Sequence, residues 1–421
     1  MTLTEKILAK KAGRLELKPG EFVLVDVDLG FANDLTGPPA IKEFEKYGNK
    51  VFAPEKVALI PDHFTPCKDI DSAGLVRILR EFSLKQNISR FYEIGRMGVE
   101  HALLPEEGLI LPGTIVIGAD SHTCTHGALG AFATGVGSTD LAFFLLTGKA
   151  WFRVPETIAV EFSGKLPEWV GGKDLILYLI SKTGVDGARY KAFEFIGPVI
   201  SRLPVDDRFS MCNMAIEAGA KNGIIAPDSI TLDYLRQVNP VWVNSHSDFT
   251  LSPDSGAVYS KKIEIDVSKL EPFVAAPDLP SNGYPVSQLS GVKLDQVLIG
   301  SCTNGRISDL KIAAGILKGK KVSKDLRLIV IPATQKIWQE ALDQGYLNTF
   351  VKCGAAVSTP TCGPCLGGHM GVLAEGEVAL STTNRNFVGR MGHPGSKVYL
   401  SSASVAAASA LTGRITHPSE V

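Results

Sequence analysis

The chain has 421 residues, 45% of them hydrophobic, enough for two or three domains with a sizeable core. Its 43 basic and 44 acidic residues leave a net charge of −1, so no basic surface able to neutralise nucleic-acid phosphates is expected. The charged N-terminus has no signal-peptide core, the longest apolar run (129–151) is broken by Asp140 and Lys149 and reads as a buried helix rather than a membrane span, and seven cysteines without a leader point to the reducing cytoplasm.

Short β-branched runs at 57–60, 114–117, 157–162, 296–299, 326–331 and 378–380 read as strands. Several alternate with helix-like stretches. At 308–317 the apolar residues Leu310, Ile312, Ala313, Ile316 and Leu317 precede the strand at 326–331, and the pattern as a whole is α/β. Polar groups follow the apolar runs directly: Asp62-His63, Asp120-Ser121-His122, Ser301-Cys302-Thr303-Asn304 and Thr382-Thr383-Asn384-Arg385. Parallel sheets bind ligands outside the carboxyl ends of their strands, so these four segments are expected to converge on one cleft. The stretch 271–285, with Pro272, Pro277, Pro280 and Pro285, reads as a linker. The expected division is an α/β domain over 1–154, a second over 155–270 and a third over 286–421 that carries the paired cysteines.

Cys302 lies in Gly300-Ser301-Cys302-Thr303-Asn304-Gly305, and Cys362 and Cys365 lie in Thr361-Cys362-Gly363-Pro364-Cys365. A Cys-x-x-Cys pair serves zinc sites and redox dithiols as well as iron–sulfur clusters. A ribbon-type zinc site would need a second pair, and a dithiol would have no use for Cys302. Three thiolates suit a cubane cluster with one iron left open, which makes a Lewis acid rather than an electron carrier. All three readings stay open on the cysteines alone. Cys67, Cys124, Cys212 and Cys353 are scattered singly and read as buried small hydrophobes, with Cys353 separated from the pair by the apolar run 355–357.

Asp62 with His63, His101, and Asp120 with His122 are candidate acid–base and orienting groups, because a carboxylate fixes an imidazole tautomer and an imidazole can protonate a departing hydroxyl. Asn213 and Glu217 are four apart and would share one helix face. Arg385 and Arg390 carry the planar fork that binds carboxylates. Each of these also has a plain structural reading: a satisfied core histidine, a solvated helix face, a surface loop. His126, His246, His369, His393 and His417 lack such placement and read as structural. Gly135-Val136-Gly137-Ser138 has two glycines of a dinucleotide fingerprint but neither the third nor the right preceding strand.

Together the segments 119–126, 300–306, 361–365 and 384–390 resemble the signature segments of the aconitase superfamily, in that family's order, and within it the branch of 3-isopropylmalate dehydratase and homoaconitase large subunits. The similarity runs from near residue 5 to the C-terminus. It implies three α/β domains of aconitase type around a [4Fe–4S] cluster held by Cys302, Cys362 and Cys365, with one open iron. Asp62, His63, His101, Asp120, His122 and Glu217 would be catalytic. Thr36, Ser121, Asn213, Arg385 and Arg390 would bind substrate, Thr36 standing where aconitase has a glutamine, which disfavours citrate. The fourth, swivelling domain of aconitase is expected on a separate small subunit that supplies the serine base, in a heterodimer or heterotetramer. The implied activity is a hydro-lyase that interconverts 2- and 3-isopropylmalate via 2-isopropylmaleate in leucine biosynthesis, or acts on homoaconitate or another substituted malate. An iron-responsive RNA-binding regulator and a zinc scaffold are the alternatives of other classes; neither nucleic acid nor membrane is an expected partner.

Overall fold

The computed structural model describes residues 1–421, arranged around four sheets. The first large sheet is wholly parallel, in the order Arg90–Phe91, Val57–Ile60, Leu29–Asn33, Ile115–Gly118, Phe132–Gly135. Its three central strands are buried at every position. Continuous rather than alternating burial is what a parallel sheet covered on both faces requires. The helix Ile70–Gln86 follows the second of these strands; it starts where the Asp69 side chain accepts the Ser72 N–H at 2.8 Å and stops at Asn87, which takes the left-handed conformation at φ 57°.

A second parallel sheet runs Asn222–Ile224, Ala192–Ile196, Thr157–Ser163, Lys261–Asp266. The third has seven strands, in the order Gly283–Pro285, Phe273–Ala275, Lys397–Leu400, Val378–Ser381, Gln296–Ile299, Arg327–Val330, Ala356–Val357, with only the first two set antiparallel to their neighbours. A small antiparallel pair, Phe22–Asp26 with Lys149–Arg153, completes the set. One apolar cluster contains Phe31, Phe162, Phe209, Leu298 and Met391, so the three large sheets share a continuous core that fixes their strand ends relative to one another. No helix is long and apolar enough to cross a membrane.

Several expectations hold closely: strands stand at Val57–Ile60 and Gln296–Ile299 and a helix at Ile307–Leu317. Others need correction. The stretch 271–285 is no free linker, since Phe273–Ala275 and Gly283–Pro285 pair as an edge hairpin of the third sheet. Proline is tolerated there because an edge strand need not donate every N–H. The run 129–151 is not one buried helix but strand Phe132–Gly135, helix Ser138–Thr147 and strand Lys149–Arg153, and the helix ends at Gly148 with φ 72°. Cys67 is exposed, whereas Cys124, Cys212 and Cys353 are buried as expected.

The residues after Ile115–Gly118 form a tight 3₁₀ segment, Ser121–Leu129, begun by the Asp120 side chain accepting the His122 N–H. This segment presses on the strand Asn222–Ile224 so closely that a Cβ at Gly127 would lie 1.8 Å from the Gly223 carbonyl oxygen. Gly127→Ala should therefore cost about 3 kcal/mol through forced backbone displacement, read as a melting point several degrees lower. A melting curve unchanged to within about one degree would show that the segment can shift freely, against the packing described.

Candidate active site

Two loops at the carboxyl end of the first sheet carry the acid–base groups. After Val57–Ile60 the chain turns through Asp62 and His63, and the Asp34 carboxylate clamps that turn by accepting the N–H groups of Asp62, His63 and Phe64 at 3.1, 2.9 and 2.8 Å. His63 Nδ1 lies 2.6 Å from Asp62 Oδ1, and Asp62 Oδ2 accepts the Glu100 N–H at 2.8 Å. After Ile115–Gly118 comes Asp120, whose Oδ1 is 2.8 Å from His101 Nε2 and accepts the His122 N–H at 2.7 Å. His122 Nε2 in turn lies 2.8 Å from Glu217 Oε1, the same oxygen that accepts from Arg385 Nε at 2.8 Å. The six residues expected to be catalytic thus form three carboxylate–imidazole pairs: Asp62 with His63, Asp120 with His101, and Glu217 with His122. Asp120 links them, since His63 Nε2 also comes within 3.9 Å of its Oδ2.

The charges of these pairs are set by burial against mutual attraction. Burial opposes a charged His63, but the adjacent Asp62 carboxylate outweighs it and the ring is pushed up to about 10. Burial likewise opposes an ionised Asp120, yet the hydrogen bonds from His101 and His122 hold it well below the usual carboxylate range. Glu217 is lowered in the same way, with His122 and then Arg385 overcoming its burial. Glu100 goes the other way: burial and the nearby Asp62 and Asp120 push it well above its ordinary value, against the Asn33 amide that donates to it at 3.0 Å. The result is a protonated His63 facing a stable anion at Asp120, an arrangement able to hand over a proton at neutral pH.

Asn213 and Glu217 do not lie on one α-helix. The helix Val205–Asn213 ends at Asn213, and a 3₁₀ turn, Met214–Ala218, carries Glu217 before Gly219 stops it at φ 83°. Both side chains still reach the cleft. Asn213 Nδ2 donates to Cys302 Sγ at 3.2 Å, and Asn384 Nδ2 donates to the same sulfur at 3.3 Å. Arg390 Nη2 lies 3.9 Å from Cys365 Sγ. Ser121 starts the 3₁₀ segment beside His122, and the turn after Leu29–Asn33 is closed by Asn33 Oδ1, which accepts the Leu35 and Thr36 N–H groups and, at 2.9 Å, the Thr36 hydroxyl.

All three cysteines are buried and free of disulfides. Cys302 follows Gln296–Ile299, while Cys362 and Cys365 sit around the 3₁₀ turn Gly363–Leu366, which is tied to the His63 loop by the Cys362 N–H on the Asp62 carbonyl at 2.8 Å. The only groups whose ligand atoms all fall within 4.8 Å of one another are His101–Asp120–His122 and Asp34–Asp62–His63; the three thiols make no such single-ion set. That spacing argues against a tetrahedral zinc site. Three buried thiols, with amide N–H groups on the Cys302 sulfur and a guanidinium N–H towards that of Cys365, fit an anionic iron–sulfur cluster.

The profile of the Aconitase family (aconitate hydratase) matches residues 5–291 and 287–413. The chain belongs to the aconitase family. Aconitase-family enzymes use a [4Fe–4S] cluster, in keeping with the donor set just described. The chain is similar over its full length to proteins called 3-isopropylmalate dehydratase large subunit: 59% identical to that of Moorella thermoacetica over 423 residues, and 60% to those of Caldanaerobacter subterraneus subsp. tengcongensis over 423 and Desulfitobacterium hafniense over 425, covering all of this chain and 99% of each relative. Among solved structures, aconitase X of Thermococcus kodakaraensis in its holo form matches 86% of this chain and 84% of its own at 12% identity and a TM-score of 0.49.

This member of the aconitase family also places residues in the cleft that the sequence reading did not select. Asp34, Asn33 and Glu100 brace the His63 loop, and Asn384 joins Asn213 on the Cys302 sulfur, the two amides also bonding each other at 3.2 Å. Asn384 was visible in its Asn-Arg-Asn motif. His126 is fully buried with its ring against Phe31 and His101, centroids 5.7 Å away in both cases; burial drives it well below its ordinary value, so it is a neutral packing residue.

Proposed function

We propose that this chain is the large subunit of 3-isopropylmalate dehydratase, a cytoplasmic hydro-lyase that interconverts 2- and 3-isopropylmalate through 2-isopropylmaleate. The observation that carries the reading is the full-length similarity of about three residues in five to proteins of that name, together with three carboxylate–imidazole pairs around a cysteine-lined cleft. Cys302, Cys362 and Cys365 would hold a [4Fe–4S] cluster. Bound there through three thiolates, it supplies a Lewis acid that polarises the carbon–oxygen bond of a 2-hydroxy acid.

The chain's own residues do the rest. Arg385 and Arg390 receive substrate carboxylates through their guanidinium N–H groups, with Ser121 and Thr36 completing the polar lining. Protonated His63 delivers a proton to the departing hydroxyl, while Asp62 keeps its ring oriented and Asp120 stabilises its charge. His101 and His122 hold Asp120 and Glu217 in place. Asn213 and Asn384 steady Cys302 through N–H···S bonds. A serine base on a separate small subunit takes the proton from the carbon next to a carboxylate.

The test is anaerobic purification, iron and sulfide analysis, and an assay of 2-isopropylmalate dehydration with and without a small subunit. Iron and sulfide present, with turnover only in the mixture, is the expected result. Loaded protein that ignores isopropylmalate but hydrates homoaconitate would overturn the substrate, and protein without iron would overturn the cluster. Within the cleft, Arg385→Gln should lower kcat/KM about 100-fold, the worth of one charged hydrogen bond lost from substrate, and leave the iron content unchanged. A loss of less than about threefold would remove Arg385 from the carboxylate site.

A further inference from the structure

Lys173 is the second residue of the helix Gly172–Thr183, and it is 1% exposed. Its ammonium donates to two backbone carbonyls, those of Thr382 at 2.9 Å and Thr383 at 2.6 Å, and forms no ion pair. Two physical penalties meet here. A buried charge without a counter-ion is costly, and a cation at the N-terminal end of a helix faces the positive end of the helix dipole. Neutral Met or Leu would fill the same space without either cost. The carboxyl groups that favour its charge are bonded elsewhere and form no ion pair with it: Asp174 accepts the Phe273 and Gly171 N–H groups and burial raises it to about 7, and Asp309 accepts from the Asn304 amide and the Arg306 N–H and is likewise raised to about 7.

The carbonyls that hold the ammonium belong to the wall of the cysteine cleft. Thr382 and Thr383 lead directly into Asn384, which donates to Cys302 Sγ, and the Thr382 carbonyl also accepts the hydroxyl of Thr303, the neighbour of Cys302. Burial opposes the charge on Lys173, and Cys302 is the group that most favours it, followed by Asp309, Cys365 and Asp174. Thiols are neutral and offer a buried cation nothing; three thiolates around an iron–sulfur core carry a net negative charge. We infer that Lys173 is the internal counter-charge of the cluster, an ammonium anchored on the carbonyls of Thr382 and Thr383 behind Cys302 and Cys365. This rests on the cluster assignment under Proposed function. It makes Lys173 a residue that acts through the cluster's charge, without touching substrate.

Hydrogen bonding and charge can be separated by substitution. Lys173→Gln keeps N–H donors for the two carbonyls but removes the charge, Lys173→Met removes both, and Lys173→Arg restores the charge. Full chains are purified anaerobically, checked for a common circular-dichroism spectrum, and compared for iron and sulfide content, reduction midpoint potential and iron retention against a chelator. Reduction adds negative charge, so both neutral variants should have a lower midpoint potential than wild type. They should retain iron about 10-fold more weakly, with Lys173→Arg recovering toward wild type. Lys173→Gln matching wild type in potential and iron retention would overturn the inference and leave Lys173 as a hydrogen-bonding anchor. Wild type that itself binds no iron or sulfide would instead bring down the cluster assignment, and the counter-charge with it.

Discussion

Cys302→Ser, prepared without oxygen, should retain no intact cluster and turn over 2-isopropylmalate at least about 10⁴-fold more slowly than wild type in the presence of the small subunit. The geometry explains why this cysteine is the decisive one. Cys362 and Cys365 share a single tight turn, so they would hold the proposed cluster from one side only; Cys302 comes from a different strand end and would close the other. Its sulfur alone receives two amide N–H groups, from Asn213 and Asn384, which lower the cost of holding a thiolate away from water. A serine oxygen is a hard ligand with a high pKa and suits iron sulfide poorly. The control is Cys353→Ser. Cys353 ends the helix Tyr346–Cys353 and bonds the Phe350 carbonyl at 3.0 Å within the third core, so its replacement should leave iron, sulfide and turnover within about twofold. Full iron content in Cys302→Ser, or loss of iron in Cys353→Ser, would each refute the ligand set.

The parts of this site that were legible in the sequence owe their legibility to the parallel sheet. A strand buried on both faces reads as an unbroken apolar run, and its polar ligand-binding loop begins where the run stops, so Asp62-His63, Asp120-Ser121-His122 and Ser301-Cys302 stand out without any structure. Partner choice did not stand out. The neighbour of His122 in sequence is Asp120, yet its Nε2 bonds Glu217, 95 residues away. Glu217 sits in a 3₁₀ turn because the chain must bend at Met214 to bring it there, and four-residue spacing alone suggested a continuous helix. Lys173 was invisible for a stronger reason. In Gly-Gly-Lys-Asp a lysine reads as solvated, and only the approach of Thr382 and Thr383, over two hundred residues on, buries it. The proline-rich stretch 271–285 misled in the opposite direction, because proline marks an edge hairpin as readily as a linker.

Asp120→Asn should reduce kcat by about 10³-fold while changing KM by less than about threefold and leaving iron content intact. Asp120 is the one carboxylate bonded or close to all three histidines: His101 Nε2 and the His122 N–H on Oδ1, His63 Nε2 at 3.9 Å from Oδ2. Asparagine is an equally good cap for the 3₁₀ segment Ser121–Leu129, and its amide oxygen can take over both hydrogen bonds on Oδ1, so local structure should survive. What disappears is the negative charge, and with it part of the attraction that keeps His63 protonated against its burial. The sign follows directly. A folded-state His63 pKa near 10 keeps the ring charged throughout the neutral range; removing an anion beside it lowers that pKa, so protonated enzyme is lost earlier as pH rises. The alkaline limb of the kcat profile should therefore move to lower pH in Asp120→Asn, with part of the activity regained in acidic buffer. A variant that lost activity equally at every pH would show that Asp120 only shapes the cleft, and one that kept more than about a tenth of wild-type kcat would take the central carboxylate out of the proton-transfer path altogether.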